Sequence, residues 1–290
     1  MLQLVSKDLA PDVQSVLNDL QSKIDSQPSF EDKTAKAQSQ WQAKTSTPTK
    51  KNAFSEITKA LIDMCVYVNA CNYCEHNESN DIEHIYPKAF FPENTFVWSN
   101  YMRACKQCNS GYKLDKCFVL DENDDIIEIK RNTQPQHKTI AFINPRTEDP
   151  NKFMLLNLAS YKFQLIPGLS KRDKHKADKT LEILELDNRA ILLTARKNAA
   201  IYYYQRFELL TKLLDTNSIA EMEHLLTPHD DLIDKTLTLG QLKDSYVISF
   251  KKDISTFQHP SVWYAIKTIE SKTNPKWQVL FKQIPEALDW

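Results

Sequence analysis

Apolar residues in the amino-terminal part of the chain follow the three- and four-residue spacing of an amphipathic helix. Two such series predict two helices, one ending near Ser26 and the other leading into a cysteine-rich region. The first series is Val13, Val16, Leu17, Leu20 and Ile24, and the second is Phe54, Ile57, Leu61 and Met64. Residues 35–51 between them are polar and contain the helix breaker Pro48, so we expect a helix end followed by an exposed connection.

The pattern changes between Cys71 and Cys108. Two short β-prone runs, Ile82–Tyr86 and Thr95–Trp98, are separated by a segment that contains two prolines. After Cys108 we expect the chain to become helical up to Lys116. The predicted order of elements is therefore strand, loop, strand and helix.

The carboxyl-terminal part begins with a charged, irregular stretch, Asp121–Pro150, in which Asn144–Arg146 marks a turn. Phe163–Ile166 predicts one more short strand. A continuous apolar stripe then predicts a long helix with Asp187 as its N-cap. The stripe consists of Leu192, Ala195, Ala199, Tyr203, Phe207, Leu210 and Leu214. The segment from Ile219 to Trp290 predicts further helices with apolar faces.

Composition narrows the fold class. Of the 290 residues, 41% are hydrophobic and only three are glycine. A sheet-rich fold needs more glycine in its tight turns, so we predict a mainly α fold with a small α+β core. By sequence pattern the chain divides into an amino-terminal helical segment (1–67), a cysteine-bounded core (68–120) and a mostly helical region (121–290).

Charge limits the ways in which this chain could hold nucleic acid. The formal net charge is −1, from 37 basic and 38 acidic residues. A protein that grips nucleic acid over a long footprint is usually basic overall, so either a local patch or a partner would have to make such a contact. The sequence contains neither a recognisable signal peptide nor an apolar run of membrane-spanning length, and we expect a cytoplasmic protein.

Four of the six cysteines form two C-x-x-C pairs, Cys71–Cys74 and Cys105–Cys108. Four thiolates in this arrangement suit tetrahedral zinc, and closed sites of this kind are structural. The 30 residues between the pairs are enough to hold the predicted strand-loop-strand unit, whose ends the zinc would join. The alternatives are a redox-active pair or cysteines that merely pack. Cys65 and Cys117 have no partner at ligand spacing and are expected to be small buried hydrophobes.

Side chains suited to phosphodiester hydrolysis lie between Cys71 and Lys113. His84 titrates near neutral pH and therefore suits a general base. Glu83 and Asn109 offer hard oxygen ligands that suit Mg²⁺ or Mn²⁺. Asp81 lies on the same face of the predicted strand as Glu83 but further away, and is a weaker candidate ligand. Taken singly, each of these residues has an ordinary structural explanation; Asn109, for example, could simply cap a helix.

The order of these elements resembles the HNH endonuclease family in its cysteine-knuckle form. The matching features are C-x-x-C, an acidic-His-Ile-x-Pro-Lys strand, W-x-N, and C-x-x-C-N-x-x-x-K. The resemblance implies a ββα-metal module in which Glu83 and Asn109 bind a catalytic divalent ion and His84 is the base. It also implies that Asn100 orients the histidine, and Lys88 and Lys113 could hold phosphate oxygens.

Two departures from the family pattern bear on the metal. The family often has aspartate where this chain has Glu83, and the longer side chain can place the ion differently. The last ligand is often histidine, where this chain has Asn109, which favours an oxygen-preferring ion over a catalytic zinc.

The flanking regions resemble the HNH proteins of two-gene bacterial antiphage systems, of the Septu type and related retron-linked modules. The resemblance rests on Asn144–Arg146 followed by Asp149–Pro150, and on Lys179–Leu184 with Leu186 and Arg189. It implies an ABC-like ATPase partner and an antiviral role. DNA is the default substrate and structured RNA the second. A zinc ribbon that binds nucleic acid or protein without cleavage is the competing class.

One basic cluster lies outside the cysteine-bounded core. Its members are Lys171, Arg172, Lys174, His175, Lys176 and Lys179. They could follow a phosphate backbone, or they could be the solvated start of a helix interrupted by Asp173 and Asp178.

Overall fold

The computed structural model describes residues 1–227 and 233–290. Their contacts form two compact units. Unit 1 comprises residues 1–155 and 163–192, and unit 2 comprises residues 156–162 and 193–290. Unit 1 therefore contains the predicted core (68–120) together with the segments on either side of it, 1–67 and 121–155.

Unit 1 contains the two predicted amino-terminal helices and two more whose bounds the sequence pattern did not give. Three precede the cysteines and one follows the small sheets: α1 Pro11–Asp25, α2 Phe30–Gln42, α3 Pro48–Asp63 and α4 Lys171–Leu184. Ser29, Thr47 and Ser170 cap α2, α3 and α4 by accepting hydrogen bonds from backbone N–H groups of the first turn. The apolar stripe of α1 is buried at Val13, Leu17, Leu20 and Ile24. Polar residues 35–51 thus contain a helix end and a short turn before α3.

Two strands lie between the cysteine pairs, and a short helix begins within the second pair. β1 (Asp81–His84) pairs antiparallel with β2 (Tyr101–Ala104), with Glu83 opposite Met102. A π-helical segment, Gln107–Lys113, follows at once. The predicted strand Thr95–Trp98 is wrong, because this part of the chain forms the loop and turn that lead into β2. Thr95 and Phe96 are buried in that loop, so apolar character there reflects burial of the connection.

Two further small sheets complete the β structure of the described residues. In one, β3 (Phe118–Leu120) lies between β4 (Ile126–Glu128) and β5 (Thr139–Ile140). The other pairs β6 (Met154–Asn157) with β7 (Lys162–Leu165), which confirms the strand predicted near Phe163. The tip of this hairpin, residues 156–162, belongs to unit 2.

The described residues of unit 2 are mainly helical outside that tip. Its long helix is α5, Ala190–Asp215, whose first residues belong to unit 1. The other α-helices are α6 Ile219–Leu226, α7 Leu239–Ser255, α8 Pro260–Ala265, α9 Ser271–Thr273 and α10 Pro275–Gln283. Tyr203 and Phe207 of α5 pack against Trp263, and Phe207 also packs against Trp277 and Phe281, which explains the burial of the predicted stripe. Aromatic residues here therefore form a core.

The fold class predicted from composition is confirmed, since the described residues are mainly helical with a few small sheets. The predicted N-cap of α5 is wrong. α5 begins at Ala190, and the Asp187 carboxylate instead accepts the backbone N–H of Phe163 at 3.1 Å. Over the described ranges, none of the helices has the length and apolarity needed to cross a membrane.

Candidate metal centre and adjoining cavity

The two C-x-x-C pairs meet in one buried cluster. The Sγ atoms of Cys71, Cys74, Cys105 and Cys108 all lie within 4.8 Å of one another, and those of Cys74 and Cys105 are 3.9 Å apart. Tetrahedral coordination with Zn–S bonds of about 2.3 Å places sulfur atoms roughly 3.8 Å apart. The cluster could therefore hold a metal ion such as zinc.

Hydrogen-bond donors surround the sulfur atoms. Arg189 directs Nη1 at Cys108 Sγ, 3.3 Å away, and its guanidinium lies 4.7 Å from the Tyr112 ring centroid. The Asn77 side-chain amide lies 3.6 Å from Cys105 Sγ. Donors placed in this way favour the negatively charged thiolate, which is the form that binds metal. Neither Arg189 nor Asn77 is recognisable as a sulfur neighbour from spacing alone.

The remaining two cysteines stay outside the cluster. Cys65 is half-buried with its Sγ 3.8 Å from Ser79 Oγ, and burial raises the pKa of its thiol. Cys117 is buried, and burial raises its pKa to about 12. Both are neutral thiols at physiological pH.

A cavity of about 580 Å³ opens beside the β1–β2 pair. Its walls come from β1, β2, the π-helical segment and the α2–α3 region. The polar side chains that line it include Asp81, His84, Lys88 and Asn109. It thus brings together four residues that lie as much as 28 positions apart in the sequence.

His84 is buried at one side of the cavity, with 7% of its surface exposed. Its Nε2 lies 3.0 Å from the carbonyl oxygen of Thr95, so this nitrogen carries the proton and the Nδ1 lone pair is available in the neutral ring. The rings of Trp41 and Tyr101 pack against it at centroid distances of 4.2 and 5.2 Å. Burial, with a smaller effect of Lys88, lowers the pKa of His84 to about 3.

The candidate oxygen ligands Asp81, Glu83 and Asn109 do not meet at one point. The Asn109 side chain donates to Asp81 Oδ2 at 3.0 Å, and both residues line the cavity. Glu83 is buried away from the cavity lining, and its Oε1 is 2.5 Å from Lys113 Nζ. Successive side chains of a strand point to opposite faces, so Asp81 and Glu83 lie on the same face of β1. Both contact the helical segment, Asp81 through Asn109 and Glu83 through Lys113, which is about one turn further along.

Lys113 is fully engaged inside the protein. Besides Glu83, its Nζ donates to the carbonyl oxygen of His84 at 2.8 Å. The Tyr73 hydroxyl donates to the same Glu83 oxygen at 3.1 Å. Lys113 therefore joins the helical segment to the end of β1, and the structure does not bring it into the cavity with Lys88.

Asn100 holds the loop between β1 and β2. Its Oδ1 accepts the backbone N–H of Tyr86 at 2.7 Å, and its Nδ2 donates to the carbonyls of Tyr86 and Asn94 at 3.0 and 2.8 Å. It makes no direct hydrogen bond to His84 in the described residues. It holds the carbonyl of Asn94, the residue before Thr95, whose own carbonyl contacts the His84 ring.

Trp41, Lys44 and Arg103 are among the cavity-lining residues that were not predicted from the sequence. Trp41 lies in the last turn of α2 and Lys44 just after it, both within the polar segment 35–51 that looked like a helix end and an exposed connection. Arg103 lies on β2, where its Nε donates to Ser79 Oγ at 3.3 Å. In the sequence, the feature that could have indicated a buried role for this segment is a tryptophan among polar residues.

The other sequence features have structural roles. Arg146 donates Nη1 to the carbonyl of Tyr101 at 2.6 Å and stacks 4.7 Å from the Trp98 ring centroid, so the Asn144–Arg146 turn braces β2. The basic cluster at the start of α4 is largely neutralised, because its charged members pair with acidic neighbours. The pairs are Lys171–Asp125, Arg172–Asp124, Lys174–Asp178, Lys176–Glu148 and Lys179–Glu182.

No family model and no curated protein sequence matches this chain.

Proposed function

We propose that the protein is a metal-dependent HNH-type endonuclease that hydrolyses phosphodiester bonds in nucleic acid. One observation supports this above the others. A single cavity is lined by a histidine with an available ring nitrogen, by an aspartate paired with an asparagine, and by a lysine. A base, a set of hard oxygen ligands and a cation for the phosphate are what this hydrolysis needs.

His84 is the proposed general base. Because the Thr95 carbonyl accepts the Nε2 proton, Nδ1 is the atom that would take a proton from the attacking water. The lowered pKa keeps the ring neutral near pH 7, so the lone pair is not lost to protonation. Contacts with Trp41 and Tyr101 hold the ring in place. Asn100 is a positioning residue that acts through the loop.

Asp81 and Asn109 are the proposed ligands of a catalytic Mg²⁺ or Mn²⁺. Such an ion, when bound, neutralises charge on the phosphate and on the leaving oxygen. The resemblance to the family implies Glu83 in the place of Asp81, but the Glu83 carboxylate is committed to Lys113 and Tyr73. The cysteine cluster is proposed to hold a structural zinc that fixes the ends of the module.

Cleavage assays on duplex DNA, single-stranded DNA and structured RNA in Mg²⁺ or Mn²⁺ test the proposal. We expect His84→Ala to abolish cleavage while the far-ultraviolet spectrum and zinc content stay unchanged. Wild-type rates in this variant would exclude His84 as the base. A chain that binds nucleic acid but never cleaves it would instead be a zinc-ribbon binding module.

A second comparison tests the choice between the two carboxylates. Asp81→Asn should abolish metal-dependent cleavage. The double variant Glu83→Gln/Lys113→Met, which removes both buried charges together, should keep a measurable rate. If Asp81→Asn still cleaved and the double variant did not, Glu83 would be the metal ligand.

The resemblance to two-gene defence systems leads to a proposal about context. We propose that this nuclease acts in an antiphage complex with an ABC-like ATPase. The net charge of −1 provides little long-range attraction for nucleic acid, so a partner that delivers or restrains the substrate would complement it.

A further inference from the structure

The wall of the cavity contains a pair of lysines. Lys44 and Lys88 both line it, and both are half-buried. Among the described residues, neither ammonium group has a carboxylate at salt-bridge distance. The four lysines of the basic cluster on α4, by contrast, are all paired with acids.

Leaving a partly buried ammonium without a counter-ion is unfavourable, because desolvation penalises the charge and no ion pair compensates for it. Burial accordingly lowers the pKa of Lys44 and of Lys88. Arg103 adds a third cation to the lining, and its side chain is held by Ser79. Two carboxylates partly offset the effect of burial. Asp81, which lines the cavity, raises the pKa of Lys44. The buried Glu83, which is paired with Lys113, raises the pKa of Lys88. The local charge is thus positive although the chain as a whole is slightly acidic.

Trp41 connects Lys44 to the proposed base. The Lys44 ammonium lies 4.6 Å from the Trp41 ring centroid, and the same ring packs against His84. Trp41 is itself held by Phe54 at 5.7 Å and Tyr101 at 5.7 Å, so the corner between α2 and α3 has a fixed place beside β1 and β2. This places Lys44 next to the histidine although 40 residues separate them in the chain.

We propose that Lys44 is a substrate-binding residue of this site, and that it takes a phosphate of a polynucleotide strand next to the phosphate that is cleaved. Lys88 and Arg103 provide the neighbouring positive charge. The amino-terminal helices then contribute directly to substrate binding, beyond the module between the cysteine pairs. The inference rests on the proposed function, because it assigns a substrate-binding role within the same cavity.

Steady-state cleavage of a fluorescent oligonucleotide by Lys44→Met tests this inference. Loss of one charge-assisted phosphate contact should raise KM about tenfold with kcat little changed. The loss should be several-fold smaller on the single phosphodiester bis(p-nitrophenyl) phosphate, which has no neighbouring phosphate. Lys51→Met is the matched control, since Lys51 is an exposed lysine of α3 outside the cavity lining, and it should behave as wild type.

Binding measured without cleavage separates this inference from the proposed function. In a His84→Ala background, fluorescence anisotropy should show that Lys44→Met weakens oligonucleotide binding and reduces the slope of log Kd against log salt by about one. Equal binding and equal KM for Lys44→Met and Lys51→Met would overturn the inference while leaving the nuclease intact. Binding that depends on Lys44, in a wild-type chain that cleaves nothing, would uphold the inference and overturn the proposed function. Unchanged circular dichroism and zinc content exclude misfolding as the cause.

Discussion

Glu83 and Lys113 form an ion pair that water hardly reaches, since each side chain is only 3% exposed. The pair is completed by the Tyr73 hydroxyl on Glu83 and by the His84 carbonyl, which accepts from Lys113. A buried pair satisfied in this way need not stabilise the fold relative to apolar residues of the same size. Removing one partner is nevertheless costly, because the other charge is left uncompensated.

We therefore predict that Lys113→Met lowers the free energy of unfolding by about 3–5 kcal/mol, as measured by urea denaturation. Glu83→Gln/Lys113→Met should recover most of this loss, because both charges are then absent. Lys7→Met provides the comparison, since the Lys7–Asp63 pair is half-exposed, and it should change stability by less than about 1 kcal/mol. Equal effects of the two single substitutions would contradict the assigned role of Lys113.

His84 links stability to pH. Its pKa falls from the ordinary value of 6.5 to about 3 in the folded chain, so protonation favours unfolding. Its contribution to stability is complete above about pH 6.5 and is lost progressively as the pH falls towards 3. The steepest loss is about 1.4 kcal/mol per pH unit.

The measurement compares wild type with His84→Gln by urea unfolding between pH 7 and pH 5. We expect the stability of wild type to fall more steeply than that of the variant. The cysteines and carboxylates titrate in both proteins, so their contribution cancels in the difference. Parallel curves would show that His84 is not held in the neutral form by the fold.

At the scale of elements, the cysteine cluster joins segments on either side of the β1–β2 pair. Cys71 and Cys74 precede β1, while Cys105 and Cys108 lead from β2 into the helical segment. Elements this short bury too little surface to be stable alone, since an isolated two-stranded hairpin is marginal in water. A metal ion at the cluster would supply the missing cross-link.

We predict that the purified protein holds about one zinc per chain, measured by atomic emission. Cys105→Ser should lose the zinc and unfold at a temperature lower by ten degrees or more, because metal-binding free energy is folding free energy in such sites. Cys65→Ser removes a thiol outside the cluster and should retain the metal. Soluble, fully stable protein without zinc would refute the structural role.

At the scale of the whole molecule, the candidate site occupies a small part of the chain. Unit 2 lies outside it and contains a helical core of its own, built around Tyr203 and Phe207. The cavity does not account for this unit, because every residue that lines the cavity belongs to unit 1. Partner binding is the purpose that the proposed ATPase complex implies, while simple thickening of the fold is the alternative.

We predict that co-expression with the product of an adjacent ATPase gene yields a complex that co-elutes in size-exclusion chromatography. Cleavage should be weak for the nuclease alone and should change at least tenfold in the complex. A chain that never co-elutes and that cuts equally well alone would exclude the partner and leave the nuclease proposal standing.

Local sequence was sufficient for the features that depend on short-range geometry. Two C-x-x-C pairs predicted the four-cysteine cluster, because two residues between cysteines let both thiols face one point. Helical periodicity predicted α1 and α5, and three glycines in the whole chain predicted a mainly helical fold. Each of these follows from neighbouring residues or from composition.

Tertiary structure decided what depends on contacts between distant segments. The apolar run Thr95–Trp98 looked like a strand, but packing of its loop, held by Asn100, moved the pairing to Tyr101–Ala104. The commitment of Glu83 to Lys113, and of Asp81 to Asn109, follows from how β1 faces the helical segment, and no spacing rule contains that information. Likewise, Trp41 and Lys44 line the cavity through a long-range contact, since the Trp41 ring packs against Tyr101 of β2. Long-range packing determines which polar side chains are buried in ion pairs and which remain accessible from the cavity. Only the accessible ones are available for chemistry.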